Sequence, residues 1–196
     1  LDSYARASTM PFFLVESAYE NENSATLLRL RTQAWHAVLS GAAGHVFGNN
    51  PIWHFDGPGV FGSSMTWEQA LNSPGARSME KLADLFSTVE WWTLQPDAQN
   101  QLLTSGAGSD QNRAVASMAA NGSIAIAYIP TSRDTGFALS RLSGPRVSAE
   151  WYDPESGTSV TAPGSPFQAS GTQTLRAPAA NGRSTTDWVL VLRSVP

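Results

Sequence analysis

The sequence predicts an α/β unit followed by an all-β unit, and three observations carry that expectation. Up to about residue 97, short apolar runs alternate with segments of helical period. The helical period stops at Gln95-Pro96-Asp97. From there to the end, short β-rich runs succeed one another between Gly, Pro, Asn and Ser. The expected domains are therefore 1–97 and 98–196.

Each element follows from its residues. Phe12-Phe13-Leu14-Val15 is too short for a lone helix and rich in β-formers, so it reads as a strand covered on both faces, the kind found in parallel sheets. Residues 24–41 read as a helix, with Ser24 as cap, Leu27, Leu30, Ala34, Trp35 and Val38 at helical spacing, and Gly41 just past the end. A second strand is expected in "GHVFGNN", then a polar, glycine-rich stretch. Residues 76–92 read as helix again, with Met79, Leu82, Ala83, Leu85, Phe86 and Val89 as the apolar stripe. Strand, helix, strand, loop, helix implies parallel pairing through right-handed crossovers. Two such units do not complete a domain, because an eight-unit barrel takes about 250 residues. This half reads as the last two βα units of a TIM (β/α)8 barrel.

The second half reads as an antiparallel β-sandwich. "AVASMAA" and "SIAIAYIP" flank Asn121-Gly122, a hairpin signal. "GFALSRL", "VSAEWYDP", "TQTLRAP" and "DWVLVLRS" follow as further strands, with Trp151 and Trp188 as core residues.

Composition excludes several classes. The chain is 41% hydrophobic with seven Trp and eight Phe, enough for a core. Its net charge is −4 with no Lys/Arg-rich run, which argues against nucleic acid or an anionic membrane as partner. The absence of cysteine removes disulfides and thiolate metal sites.

Carboxyl ends of parallel strands are where α/β active sites sit, so Glu16 is the first candidate for chemistry. Glu20 lies four residues on, and spacing alone does not choose between two carboxylates of one loop. "GNNPIWHFD" brings Asn49, Asn50, Trp53, His54 and Asp56 together, and sugar sites pair aromatic platforms with amides and carboxylates. Trp53 is the preferred platform, with a rim-covering loop tryptophan as the alternative. His45 and His54 lack the i, i+4 partner of a helical zinc site, so no metal ligand and no cofactor is expected. Trp35 and His36 read as packing residues; Arg29 and Arg31 either solvate their helix or anchor a carboxylate. Trp91-Trp92 reads as filling at the domain junction.

Taken together and in order, "ESAYE", "AGHVFGNNPIW", "MTWEQALNSPGARSMEKLADLF", "WYDPESGT" and "DWVLVL" resemble the C-terminal part of the apiosidase-like glycoside hydrolases. These are (β/α)8 barrels with a C-terminal β-sandwich known as a collagen-binding domain of a collagenase. The resemblance implies that residues 11–16 are the seventh barrel strand and 44–48 the eighth. It makes Glu16 the nucleophile of a retaining mechanism, with an acid about 5–5.5 Å away. Tyr19, Glu20, Asn49, Asn50, Trp53 and His54 are then expected to bind substrate, Glu20 by orienting Glu16 or meeting a sugar hydroxyl. Two positions depart from the pattern: Val15 where glycine is common, and Phe47 where tyrosine is usual. The family's acid/base comes from the fourth strand, which this sequence lacks, so a second chain or missing N-terminal segment is expected to complete the barrel. Secretion, or a periplasmic location, follows from the same resemblance. The alternative is a non-catalytic carbohydrate-binding or structural fragment.

Overall fold

A computed structural model describes residues 1–6, 10–179 and 185–196. The first half holds helices α1 (Asp2–Arg6), α2 (Leu27–Leu39), α3 (Trp67–Ala70) and α4 (Pro74–Ser87). The N-cap of α2 is Thr26, whose side chain accepts from the Arg29 N–H, and not Ser24. Ser24 has φ +55° and belongs to the preceding turn. Helix α4 begins two residues earlier than the expected 76, because Ser73 caps it and Pro74 occupies the first turn. It stops at Ser87, and Trp91–Thr93 forms a separate 3-10 turn.

The two expected strands pair in parallel, but briefly. Ala43 donates to Phe12 O (2.7 Å), Leu14 to Gly44 O (3.2 Å) and Val46 to Leu14 O (2.8 Å). Pairing resumes where Glu20 donates to Gly48 O (2.9 Å) and Asn50 to Glu20 O (3.0 Å). The bridged pairs are Leu14 with His45 and Glu20 with Asn49, so six positions on the first segment face four on the second. The two surplus residues make the stretch from Val15 to Tyr19 bulge out of the ladder.

Within residues 1–196 only one face of the first strand is covered. Phe12 and Leu14 are half-buried, whereas Phe13 is 56% and Val15 61% exposed. Val46 is likewise exposed. Trp92 is exposed as well and does not fill the junction.

Among the described residues ten strands follow: β1 (Leu94–Pro96), β2 (Leu103–Ser105), β3 (Val115–Ala119), β4 (Ile124–Ile129), β5 (Asp134–Ala138), β6 (Arg146–Tyr152), β7 (Ser159–Thr161), β8 (Phe167–Gln168), β9 (Thr172–Arg176) and β10 (Trp188–Val195). One sheet runs β1-β3-β4-β10-β6-β7, with β8 also on β6; the other runs β2-β5-β9. All pairs are antiparallel.

The larger sheet is covered on both faces. Trp151, Leu190 and Ile129 pack in one core with Phe137 and Leu175 of the smaller sheet. Ile126, Tyr128, Val189 and Val191 pack in a second with Trp35 and Leu39 of α2 and Phe86 of α4. Hence β4 is buried at all six positions, with no solvent face to demand alternation. Trp35 stacks on Tyr128, ring centroids 5.9 Å apart, and meets Phe86 at 5.6 Å.

A buried ion pair fixes this docking. Arg31 Nε and Nη2 donate to the two oxygens of Asp187 at 2.8 and 2.9 Å, and both side chains are inaccessible to solvent. Arg31 also donates to Ser78 Oγ (3.3 Å) and Thr185 Oγ1 (2.7 Å), while Tyr128 OH donates to Asp187 (3.0 Å). Of the alternatives for Arg31, the structure selects the carboxylate anchor.

Removing one partner strands the other charge in the core. Asp187→Ala is expected to lower unfolding free energy by about 3–5 kcal/mol, and Arg31→Met with Asp187→Leu by clearly less. Urea denaturation of the three proteins measures both; equal losses would show that the charges themselves carry the docking.

Candidate functional site

The bulge brings Glu16 to the surface. Its side chain is exposed and lines a cleft of about 420 Å³ with Ser17, Tyr19, Glu22, Arg29 and Gln33. Among the described residues, no hydrogen bond or ion pair engages the Glu16 carboxylate. Gln33 holds the bulge to α2 by a two-way clamp, its Nε2 donating to Ala18 O (2.8 Å) and its Oε1 accepting from Ala18 N (3.0 Å). Tyr19 packs its ring on Gly48, where an added Cβ would sit 2.3 Å from a ring carbon. The glycine is what lets the tyrosine lie flat on the second segment.

Glu20 faces the opposite way. It is 5% exposed and sits at the start of α4, accepting from Ser73 Oγ (2.5 Å), Asn49 Nδ2 (3.1 Å) and the Gly75 N–H (2.8 Å). A carboxylate at a helix N-terminus satisfies free N–H groups and faces the positive end of the dipole. Gly75 is required by this approach, since a Cβ there would lie 2.4 Å from Glu20 Oε2. The Glu20 carboxylate is thus engaged by Ser73, Asn49 and Gly75 inside the fold.

Asn49 and Asn50 are also internal. Asn49 Nδ2 donates to Ser73 Oγ (2.8 Å) and its Oδ1 accepts from Asn21 (3.0 Å). Asn50 Nδ2 donates to Phe61 O (2.9 Å), and its Oδ1 pairs with His54 Nε2 (2.9 Å). Both are buried, and these hydrogen bonds tie the loop to its neighbours.

Trp53 is exposed and borders the cleft through Glu22, to which its Nε1 donates at 2.8 Å. His54 sits edge-on between Trp53 and Phe61, with centroids 4.6 and 5.1 Å away. Phe55 and Phe61 are 72% and 68% exposed and both have positive φ, +54° and +45°. Bulky aromatics hold such backbone only where surroundings impose it. His45 is half-buried with Ser17 Oγ at 3.4 Å, and burial pushes its pKa down. Asp56 is exposed and accepts from the Gly57 N–H (2.8 Å). Among the described residues, no group of three His, Cys, Asp or Glu is placed to hold a metal ion.

Sequence reasoning did not single out Gln33, Glu22, Phe55, Phe61, Ser73 or Gly75. Ser73-Pro74 carried a readable signal, a cap followed by proline. The others depend on contacts between distant segments.

The backbone arrangement as a whole is similar to that of solved glycoside hydrolases. One, titled "Glycoside hydrolase", superposes with TM-score 0.85 at 27% identity, over 98% of this chain and 44% of its own. A glycoside hydrolase family 5 structure from Bacteroides vulgatus gives TM-score 0.85 at 25% identity, over 98% of this chain and 43% of its own. The chain thus spans less than half the length of these relatives. No curated protein matches the sequence. Residues 1–93 match the family "Apiosidase-like, catalytic domain", and residues 96–193 match "Putative collagen-binding domain of a collagenase". The second match covers half of the chain, and over that half the chain belongs to the matched family.

The two glutamates separate by stability. Glu20→Gln replaces one accepting oxygen by an amide N–H₂, which then faces either the Gly75 N–H or the Ser73 and Asn49 donors, and is expected to cost about 2–3 kcal/mol. Glu16→Gln, at an exposed site, is expected to stay within about 0.5 kcal/mol of the parent. Thermal or urea unfolding decides; a loss at Glu16 as large as at Glu20 would reverse the assignment.

Proposed function

We propose that this chain is the C-terminal portion of a retaining glycoside hydrolase acting on polysaccharide side chains, with Glu16 as nucleophile. The observation that carries it is the contrast between the two carboxylates. Glu20 is spent on the α4 N-terminus, while Glu16 is exposed, uncommitted and held on a rigid bulge beside Tyr19. A nucleophile must stay ionised and fixed beneath the anomeric carbon, attack it, and be released by water. The clamp from Gln33 and the seat of Tyr19 on Gly48 support such fixity.

In this reading the segments around Leu14 and Val46 are the seventh and eighth strands of a (β/α)8 barrel, and the β module is its sandwich. The acid/base and the remaining strands come from a second chain or from a segment outside residues 1–196. The exposed Phe13, Val15 and Val46 are where that portion packs, since a barrel interior is filled by such residues. Trp53 is the platform for a sugar face. A secreted or periplasmic location follows from a polysaccharide substrate.

Glu16→Gln in the protein carrying its complete barrel is expected to lower turnover of plant cell-wall polysaccharide at least about 10³-fold with unchanged melting temperature. Reducing-sugar release measures it. Full activity in that variant would remove Glu16 from the chemistry.

A further inference from the structure

The cleft at Glu16 continues past α2. Arg29 and Gln33, one turn apart on the same face of that helix, line it and also line a second cleft of about 360 Å³. The far wall of this second cleft is Asp110, Gln111 and Asn112, from the connection between β2 and β3 in the β module. The wall is held from behind: Asn112 Oδ1 accepts from Thr131 (2.9 Å), and Arg133 donates to the Asn112 carbonyl. On the helix side, His36 Nε2 bonds Arg113 O at 2.8 Å.

Three side chains keep unspent hydrogen-bonding capacity there. Arg29, Asp110 and Gln111 are exposed, and among the described residues none has a side-chain hydrogen bond or ion pair. A cation, a carboxylate and an amide facing one cleft nearly cancel in charge, which suits a polyhydroxylated neutral chain better than a lone anion. Clefts between domains are frequent ligand sites, and this one is floored by the docked helix.

We infer that the second cleft is a distal subsite for an oligosaccharide whose reacting end lies at Glu16, with Asp110 and Gln111 of the β module recognising its far residues. The inference rests on the glycosidase reading. The β module is then part of the specificity machinery rather than support alone, and the enzyme favours longer chains.

The test uses the complete protein bearing Glu16→Gln, immobilised for affinity chromatography. The probe is a partial acid hydrolysate of plant cell-wall polysaccharide, separated into short and longer saccharides. Longer fractions are expected to be retained over mono- and disaccharides. Asp110→Gly with Gln111→Ala should narrow that ratio about five- to tenfold, as for two lost hydrogen bonds; glycine keeps the +51° φ of Asp110. An unchanged ratio, or no retention of any fraction, overturns the distal subsite. Hydrolysis of the same fractions by the protein with Glu16 intact is scored separately. Hydrolysis with an unchanged ratio sinks the subsite alone, whereas a narrowed ratio without hydrolysis supports the subsite and removes the catalytic reading.

Discussion

The rest of the structure depends on the buried pair between Arg31 and Asp187. Its guanidinium lies on α2 and its carboxylate just before β10, so one two-pronged contact sets how the α/β half seats on the larger sheet. Such a pair adds little net stability, because desolvating both charges offsets most of their attraction. What it supplies is one orientation. A slide of α2 would leave two charges buried and unpaired, while the apolar contacts of Trp35, Leu39 and Phe86 alone would tolerate several positions. Burial opposes the charge on Arg31, yet the hydrogen bond to Asp187 together with the charges of Asp187, Tyr128 and Glu155 outweighs it and raises its pKa.

Orientation of α2 passes directly to the surface. The same helix carries Gln33, which clamps the bulge behind Glu16, and Arg29, which borders both clefts. His36, bonded to Arg113 O on the same interface, has its pKa lowered chiefly by burial. It therefore stays neutral at ordinary pH, and no charge opposes the docking there.

The bulge and the helix cap divide labour between two glutamates only four residues apart. Two surplus residues opposite His45–Asn49 throw Glu16 outward, and pairing resumes in time to aim Glu20 at α4. Bulges commonly re-aim side chains beside active sites. One carboxylate is thereby consumed in holding the loop and helix together, and the other is left for solvent or substrate.

The sequence by itself determined the change of grammar near residue 97, the two main helices, the parallel pairing and the antiparallel strands that follow, because each is written in local periodicity and turn residues. It also ranked Glu16 above Glu20, since position at the end of an apolar run is a local property. Only the tertiary structure decided the rest. That Asn49 and Glu20 are buried partners of Ser73 and Gly75 depends on contacts across 24 to 55 positions. That β4 has no solvent face depends on α2 covering it, and that Arg31 is an anchor depends on a carboxylate 156 positions away. No period in the chain encodes such pairings, because their energy arises only when distant segments exclude water from one another.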